Sequence, residues 1–144
     1  MRAGVLLDTG PIVAFLYGRE RDHGWAVERF ATLDPPFLSC EPVLTEACFL
    51  VARNGQSPVR VLDMLTRGIV RVGLEIQDEL AAVGALMARY ASVPMSLADA
   101  CLVRLAEMTG SPICTLDADF AIYRAHGRQP LTLISPAQRR LHEP

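Results

Sequence analysis

The sequence lacks lysine entirely, because all fourteen of its basic residues are arginine. This absence excludes enzymes that depend on a lysine side chain, such as P-loop nucleotide hydrolases, Schiff-base enzymes and pyridoxal phosphate enzymes. Positive charge is also scarce in general, since sixteen acidic residues leave a net charge of -2. Any contact with nucleic acid would therefore have to use a local group of arginines.

Long apolar runs and paired cysteines are missing as well. The stretch after Arg2 superficially resembles a secretory signal, but Asp8 and Pro11 interrupt it, and no other run is long enough to span a bilayer. The cysteines form no C-x-x-C pair and lie mostly among apolar residues, at Cys40, Cys48, Cys101 and Cys114. We therefore expect a reduced, cytoplasmic protein without a membrane segment.

What is present is enough apolar material for one hydrophobic core. The chain has 144 residues, of which 51% are hydrophobic and 21% are charged, and it is too short for two ordinary domains. No internal repeat or low-complexity linker divides it. We predict one domain over residues 1–134 and a polar C-terminal tail over residues 135–144.

Short apolar runs alternate with helical patterns along this domain. The pattern predicts strands over residues 5–7, 37–40, 69–72, 112–116 and 131–134, and helices over residues 12–17, 23–33, 42–53, 58–67, 75–90, 97–108 and 120–125. Strands that alternate with helices over short connections form a mostly parallel sheet with helices on both faces. The predicted fold is therefore an α/β/α sandwich around a central sheet of four to five strands.

Asp8 directly follows the first predicted strand, and Gly10-Pro11 then turns the chain. Pro11 is well placed to begin a helix, so Asp8 should stand at the carboxyl tip of the strand. Open α/β sheets bind their ligands at that edge. A single aspartate in this position is more often a turn or helix-capping residue than a ligand-binding one. The neighbouring residues of Asp8 do not decide between a structural and a ligand-binding role.

Three later acids are expected at the same edge. Asp117 ends the fourth predicted strand, Asp99 opens an apolar helix, and Glu46 lies in the first turns of another helix. Each has a structural alternative, because Ser96-x-x-Asp99 fits a helix capping box, Asp117-x-Asp119 fits an Asx turn, and Glu46 could be a partly exposed helical acid. We predict that the four acids converge, and that Asp119 caps the next helix or supports the site.

Converging carboxylates are costly unless they are protonated or bridged by a cation, and a divalent ion is their natural partner. Two of them about 5 Å apart repel each other by about 3 kcal/mol at an effective dielectric constant of about 20. A ligand set of oxygens without histidine or cysteine favours Mg²⁺ or Mn²⁺ over zinc. Such an ion would hold an attacking water and stabilise the charge that develops on phosphorus. The acids therefore point to phosphodiester hydrolysis.

Four short motifs occur in a specific order: LDTGP over residues 7–11, TE over residues 45–46, SLADA over residues 96–100 and TLDADF over residues 115–120. Together they resemble the PIN-domain family and, more narrowly, its VapC-type toxins. The resemblance covers nearly the whole chain. It implies a PIN-like α/β/α fold and a Mg²⁺- or Mn²⁺-dependent endoribonuclease.

The resemblance also implies roles for individual residues. The catalytic and metal-binding acids of the family match Asp8, Glu46, Asp99 and Asp117, and hydroxyl positions near the site match Thr9 and Thr115. The implied partners are an RNA substrate, a cognate antitoxin that inhibits the enzyme, and a second copy of the chain in a homodimer. Since no motif acid is missing, the resemblance implies an active enzyme.

Other functions remain open at this point. A PIN-like module could bind RNA or a protein partner without cutting, and it would then bind RNA in EDTA and show no metal-dependent turnover. A haloacid-dehalogenase-like phosphatase fits poorly, because it needs a second aspartate where Gly10 stands. A flap nuclease needs more acids and an arch that this chain is too short to contain.

Arginine pairs that could hold RNA phosphates are Arg19 with Arg21, Arg124 with Arg128, and Arg139 with Arg140.

Overall fold

The computed structural model describes residues 4–136 of the chain. Residues 137–144, which include Arg139, Arg140 and most of the predicted tail, lie outside the described residues. The strands in the described part are β1 (Leu6–Leu7), β2 (Phe37–Ser39), β3 (Val70–Val72), β4 (Ile113–Cys114), β5 (Arg124–Ala125), β6 (Gln129–Pro130) and β7 (Leu133–Ile134). The helices are α1 (Thr9–Leu16), α2 (His23–Thr32), α3 (Glu41–Arg53), α4 (Val59–Thr66), α5 (Leu80–Arg89) and α6 (Leu97–Thr109).

Strand β1 lies in the middle of a five-stranded parallel sheet with the order β3-β2-β1-β4-β7. Leu6 of β1 pairs with Leu38 on one side and with Ile113 on the other. The chain moves outward through β2 and β3 and then returns to the opposite side of β1 as β4, so the order of the strands reverses between β1 and β4. Crevices at the carboxyl ends of strands beside such a reversal are the usual ligand sites of open α/β sheets.

The core forms between this sheet and its helices. Leu6 and Leu7 of β1 are fully buried, as expected for a central parallel strand covered on both faces. Helix α6 contributes a long apolar face to the core and contacts α3, α5, β1 and β5. Its buried residues are Ala98, Ala100, Cys101, Leu102, Val103, Leu105 and Ala106. The acid at its N-terminal end, Asp99, is therefore carried by one of the most firmly packed elements of the fold.

Helix α1 begins earlier than the position of Pro11 predicts. The first helical residue is Thr9, and Asp8 is the N-cap. Pro11 is still in the first turn, where the missing backbone N–H has no helical acceptor to lose. The prediction of a helix start at residue 12 was therefore wrong by three residues, and the strand, the cap and the helix follow one another without a loop.

The helix predicted over residues 75–90 is interrupted. A 3₁₀ turn occupies Ile76–Asp78, and α5 begins only at Leu80. Between them Glu79 has a non-helical backbone, with φ -122° and ψ 17°. Its carboxylate accepts a hydrogen bond of 2.7 Å from Arg104 of α6. The apolar periodicity of the segment cannot predict this interruption, because the contact involves a residue of another helix.

The segment after the fourth strand also differs from its prediction. A 3₁₀ turn over Ala118–Ala121 replaces the short helix expected to reach residue 125. The chain then forms an antiparallel hairpin in which Arg124 pairs with Pro130. His126 and Gly127 have positive φ angles of 52° and 80° at its turn, and glycine adopts this conformation without steric cost.

In the described part of the chain, no helix has both the length and the apolar character that crossing a bilayer requires.

Candidate active site: an acidic cavity at the carboxyl edge of the sheet

A cavity of about 450 Å³ opens where the carboxyl ends of β1 and β4 meet the N-terminal half of α3 and the start of α6. Polar residues and glycine line most of it, and Leu50, Pro94 and Leu116 complete the wall. The polar set consists of two hydroxyl residues, Thr9 and Ser96, and of every acid predicted for the site: Asp8, Glu46, Asp99, Asp117 and Asp119. No arginine or histidine from residues 4–136 lines the cavity. The structure therefore collects five acids from four separate elements around one space without a protein cation among them.

Asp8 is the most buried of these acids, with 7% of its surface exposed. One carboxylate oxygen accepts a hydrogen bond of 2.8 Å from the backbone N–H of Thr9, and the other accepts one of 2.7 Å from the hydroxyl of Thr115. The pKa of Asp8 is raised from 3.8 to about 6, chiefly by burial and to a smaller extent by the charges of Asp99 and Asp117, although the two hydrogen bonds act to lower it. Asp8 is thus a helix cap and a cavity acid at once, so the two interpretations of the sequence are compatible.

Thr115 connects the tips of the two central strands. Its side chain is fully buried, and its hydroxyl donates to Asp8 while accepting a hydrogen bond of 2.9 Å from the backbone N–H of Asp117. A hydroxyl with one donor and two acceptor positions can serve both contacts together. Thr115 therefore orients the Asp8 carboxylate and the backbone from which Asp117 projects.

Glu46 is an exposed residue of α3, and it nevertheless lines the cavity. The hydroxyl of Thr9 donates to its carboxylate at 3.4 Å and also contacts the carbonyl of Val43 at 3.5 Å. Both distances are long for an O–H donor. Glu46 is therefore joined to the β1 tip only by a weak contact.

Asp99 takes part in the capping box that its spacing predicts. The Ser96 hydroxyl accepts a hydrogen bond of 3.0 Å from the backbone N–H of Asp99, and an oxygen of Asp99, Oδ2, lies 3.5 Å from the backbone N–H of Ser96. A second donor was not predicted: the hydroxyl of Tyr123 donates to the same oxygen at 2.8 Å. Tyr123 belongs to none of the four motifs, and its role could not be predicted from them because only the fold brings it beside α6.

Asp117 and Asp119 form the predicted Asx turn and also line the cavity. The side chain of Asp117 accepts a hydrogen bond of 2.9 Å from the backbone N–H of Asp119. The charge of Asp117 is the largest cause of the raised pKa of Asp119, followed by burial and the charge of Asp99. These three acids therefore act on one another electrostatically, although they come from two elements far apart in sequence.

Gly10 allows α1 to approach the tip of β4. A Cβ atom at this position would lie 3.1 Å from the Cβ of Leu116, closer than ordinary van der Waals contact. Leu116 stands directly between Thr115 and Asp117. A larger residue at position 10 would therefore disturb the spacing between the two strand tips that carry the acids.

The donor set fits Mg²⁺ or Mn²⁺, because it consists of carboxylate and hydroxyl oxygens. Over residues 4–136, no three histidine, cysteine or acidic side chains are already grouped closely enough to hold an ion. The acids instead use protein donors: Asp8 bonds to Thr115, Asp99 to Tyr123 and Asp117 to the backbone of residue 119. The pKa of Asp8 is raised mainly by burial and also by the charges of Asp99 and Asp117, while the charge of Asp117 is the largest cause for Asp119, and a cation would relieve this repulsion.

Of the arginine pairs considered from the sequence, none of the members within residues 4–136 lines this cavity. Arg124 donates to the carbonyls of Ala121, Ile122 and Tyr123 at 2.8, 3.2 and 3.0 Å, and so holds the turn that follows the acids. Neither Arg19, Arg21 nor Arg128 lines the cavity, and Arg139 and Arg140 lie outside the described residues.

Comparisons with known proteins agree with this architecture. The chain resembles the crystal structure of Mycobacterium tuberculosis VapC20, described as a Sarcin-Ricin loop cleaving toxin, with a TM-score of 0.76 and 21% sequence identity over 88% of this chain and 99% of that one. At this identity the likeness concerns the fold, and it confirms the predicted PIN-like α/β/α sandwich. No curated protein sequence matches significantly. The sequence model of the PIN domain matches residues 5–125, and the chain therefore belongs to the PIN-domain family.

Proposed function

We propose that this protein is a VapC-type toxin, a Mg²⁺- or Mn²⁺-dependent endoribonuclease that hydrolyses RNA phosphodiester bonds and is inhibited by a cognate antitoxin. The observation that carries the proposal is the cavity in which four elements contribute five carboxylates and to which residues 4–136 contribute no arginine or histidine. A polyanion such as RNA would be repelled from this space by Coulomb forces. A divalent cation held by the acids would remove that repulsion, so the clustering of acids is explained if the cavity binds such a cation.

Asp8, Glu46, Asp99 and Asp117 would hold the ion, with Asp119 beside them. When bound, a divalent ion supplies a water of lowered pKa and neutralises charge on the phosphate. Asp8 is suited to be the anchor of this set, because it is the most buried acid and two hydrogen bonds fix its orientation. The weakly held Glu46 is suited to adjust to the ion or to the attacking water.

The remaining wall would contact the RNA. Leu50, Pro94 and Leu116 form an apolar part of the cavity against which a nucleotide can pack. We propose a looped RNA as the substrate class, because the structural relative VapC20 is described as cleaving the Sarcin-Ricin loop. Unpaired nucleotides expose phosphates that a duplex holds in fixed helical geometry.

The test is cleavage of structured RNAs in Mg²⁺, in Mn²⁺ and in EDTA, with Asp8→Asn and Asp99→Asn beside the parent protein. We expect metal-dependent cuts within loops and a loss of at least about a hundredfold in rate for each variant, the order expected when an electrostatic or proton-transfer group is removed. Asp63→Asn, on the exposed face of α4, is the matched control and should cut like the parent. Parent-like cleavage by both cavity variants would contradict the assigned centre.

The same experiment separates the non-catalytic alternative. A module that only recognises RNA would retain RNA in EDTA in a gel-shift assay and would yield no fragments at any concentration of metal. Binding of this kind, unchanged in Asp8→Asn, would replace the enzymatic proposal.

An antitoxin partner, a homodimer and a cytoplasmic location complete the proposal. All four cysteines are unpaired, which suits a reducing compartment. Phe49, Val59 and Leu62 on α3 and α4 are 64%, 55% and 51% exposed, and large apolar side chains of this kind are covered in many protein complexes. The toxin assignment would be supported if expression of the protein arrested growth and a small protein encoded directly upstream relieved this arrest. Expression of Asp8→Asn should not arrest growth. Sedimentation velocity would test the dimer.

A further inference from the structure

We propose that Tyr123 is a positioning residue of the active site, whose hydroxyl holds Asp99 in the orientation that binds the ion. This inference rests on the proposed function. The hydroxyl of Tyr123 lies 2.8 Å from Oδ2 of Asp99, a short hydrogen bond to a carboxylate that lines the cavity. Hydrogen bonds to ionised groups are shorter and stronger than neutral ones.

The geometry selects one oxygen of Asp99 for the ion. In the described part of the chain, both hydrogen bonds to the Asp99 side chain use Oδ2: the Tyr123 hydroxyl at 2.8 Å and the Ser96 backbone N–H at 3.5 Å. Oδ1 is therefore the oxygen left for an ion. A carboxylate held by one edge cannot rotate freely about its terminal torsion, which is otherwise broad.

Tyr123 is itself rigidly held, as a positioning residue must be. Its side chain is fully buried and packs edge-on against Tyr90 and Phe120, with ring centroids 5.1 and 5.3 Å away. The next residue, Arg124, also donates to the carbonyl of Tyr123. Burial, followed by the hydrogen bond to Asp99, raises the pKa of Tyr123 above its usual range, so the phenol keeps the proton that it donates.

The arrangement also couples two parts of the site. Asp117 and Asp119 stand at the start of the 3₁₀ turn that follows β4, and Tyr123 stands just after its end and reaches back to Asp99 on α6. One short segment thus carries two of the acids and the group that orients a third. A shift of this segment would change all three together.

The experiment compares Tyr123→Phe with Tyr90→Phe in the full chain. Both variants keep the ring and lose one buried hydroxyl, but only the Tyr123 hydroxyl touches an acid. Calorimetric titration with Mn²⁺ should show a dissociation constant at least about tenfold higher for Tyr123→Phe, as for other partners of metal ligands. Tyr90→Phe should stay within about twofold of the parent, and its thermal melt reports the cost of losing a buried hydroxyl alone.

A double-mutant cycle with Asp99→Asn checks that the effect passes through Asp99. We expect Tyr123→Phe to cause no further weakening in the Asp99→Asn background. Tyr123→Phe with parent-like Mn²⁺ affinity, while Asp8→Asn abolishes binding, would overturn the positioning role and leave the proposed function in place. A parent protein that binds no Mn²⁺ would overturn both. Near-ultraviolet circular dichroism of each variant verifies that the aromatic packing is intact.

Discussion

Replacing Asp8 by asparagine should stabilise the metal-free protein at neutral pH, although it removes the central acid of the site. Asp8 has a pKa of about 6 in the folded protein against an ordinary value of 3.8, and only 7% of its surface is exposed. Because its proton is bound more tightly in the folded state, the stability that Asp8 contributes is fully present below pH 3.8 and is lost as the pH rises through about 6. The loss amounts to about 3 kcal/mol.

Asparagine has no charge to bury and therefore does not lose this stability. Its amide group accepts the hydrogen bond from the Thr115 hydroxyl less favourably than a carboxylate does. This difference lowers the free energy of unfolding of Asp8→Asn by on the order of 1 kcal/mol at every pH. The pH dependence is therefore the decisive quantity. The free energy of unfolding of Asp8→Asn minus that of the parent should increase by about 2 kcal/mol between about pH 4.5 and 7.5.

The assay is urea unfolding in EDTA across this pH range, at constant ionic strength. Asp63→Asn makes the same chemical change on the exposed face of α4, and its difference from the parent should stay flat. A flat difference for Asp8→Asn as well would refute the argument, because it would mean that the folded protein does not disfavour the charged form of this carboxylate.

Three further outcomes follow from the same contacts. Mg²⁺ or Mn²⁺ at about a hundred times its dissociation constant should stabilise the parent by about 2.7 kcal/mol, and thermal melts of Asp8→Asn should show little of this gain. Thr115→Val should cost about 1–3 kcal/mol, since it deprives Asp8 of a donor and the backbone N–H of Asp117 of an acceptor. The same change should move the pH dependence attributed to Asp8 to higher pH in urea unfolding, because the lost hydrogen bond lowers the pKa of Asp8. Gly10→Ala should be more favourable by on the order of 1 kcal/mol in a Leu116→Gly background, which lacks the contacting Cβ, than in the parent, and equal effects in both backgrounds would show that the close approach is tolerated.

The cavity acids illustrate why structural and functional interpretations of a motif need not compete. Asp8 caps α1, Asp99 completes a capping box and Asp117 forms an Asx turn, and all three nevertheless line one cavity. Helix starts and turns after parallel strands lie at the carboxyl edge of the sheet, so residues that stabilise these local structures also face the ligand. Local hydrogen bonds hold the acids in place while their mutual repulsion remains.

The sequence alone determined the class of fold and the membership of the acidic set. Apolar runs that alternate with helical periodicity require a parallel sheet, because parallel strands must be joined by crossovers, and acids that follow such strands must meet at one edge. The order of the motifs then identified the family. Asp8 and Asp117 could be named from these local rules, since each rule involves only residues close together in the chain, whereas Glu46 and Asp99 were predicted from their positions near helix starts and from the resemblance of the motifs.

The tertiary structure decided what depends on residues far apart in the chain. Three hydrogen bonds join different elements of the fold. They run from Thr115 to Asp8, from Tyr123 to Asp99, and from Arg104 to Glu79 at the interruption before α5. Side-chain burial and the pKa of Asp8 depend on the same packing. No periodicity encodes such contacts, because the distance between two helices or strand tips is set by the whole core. The sequence thus named the acids of the site, and only the fold showed which neighbours orient them.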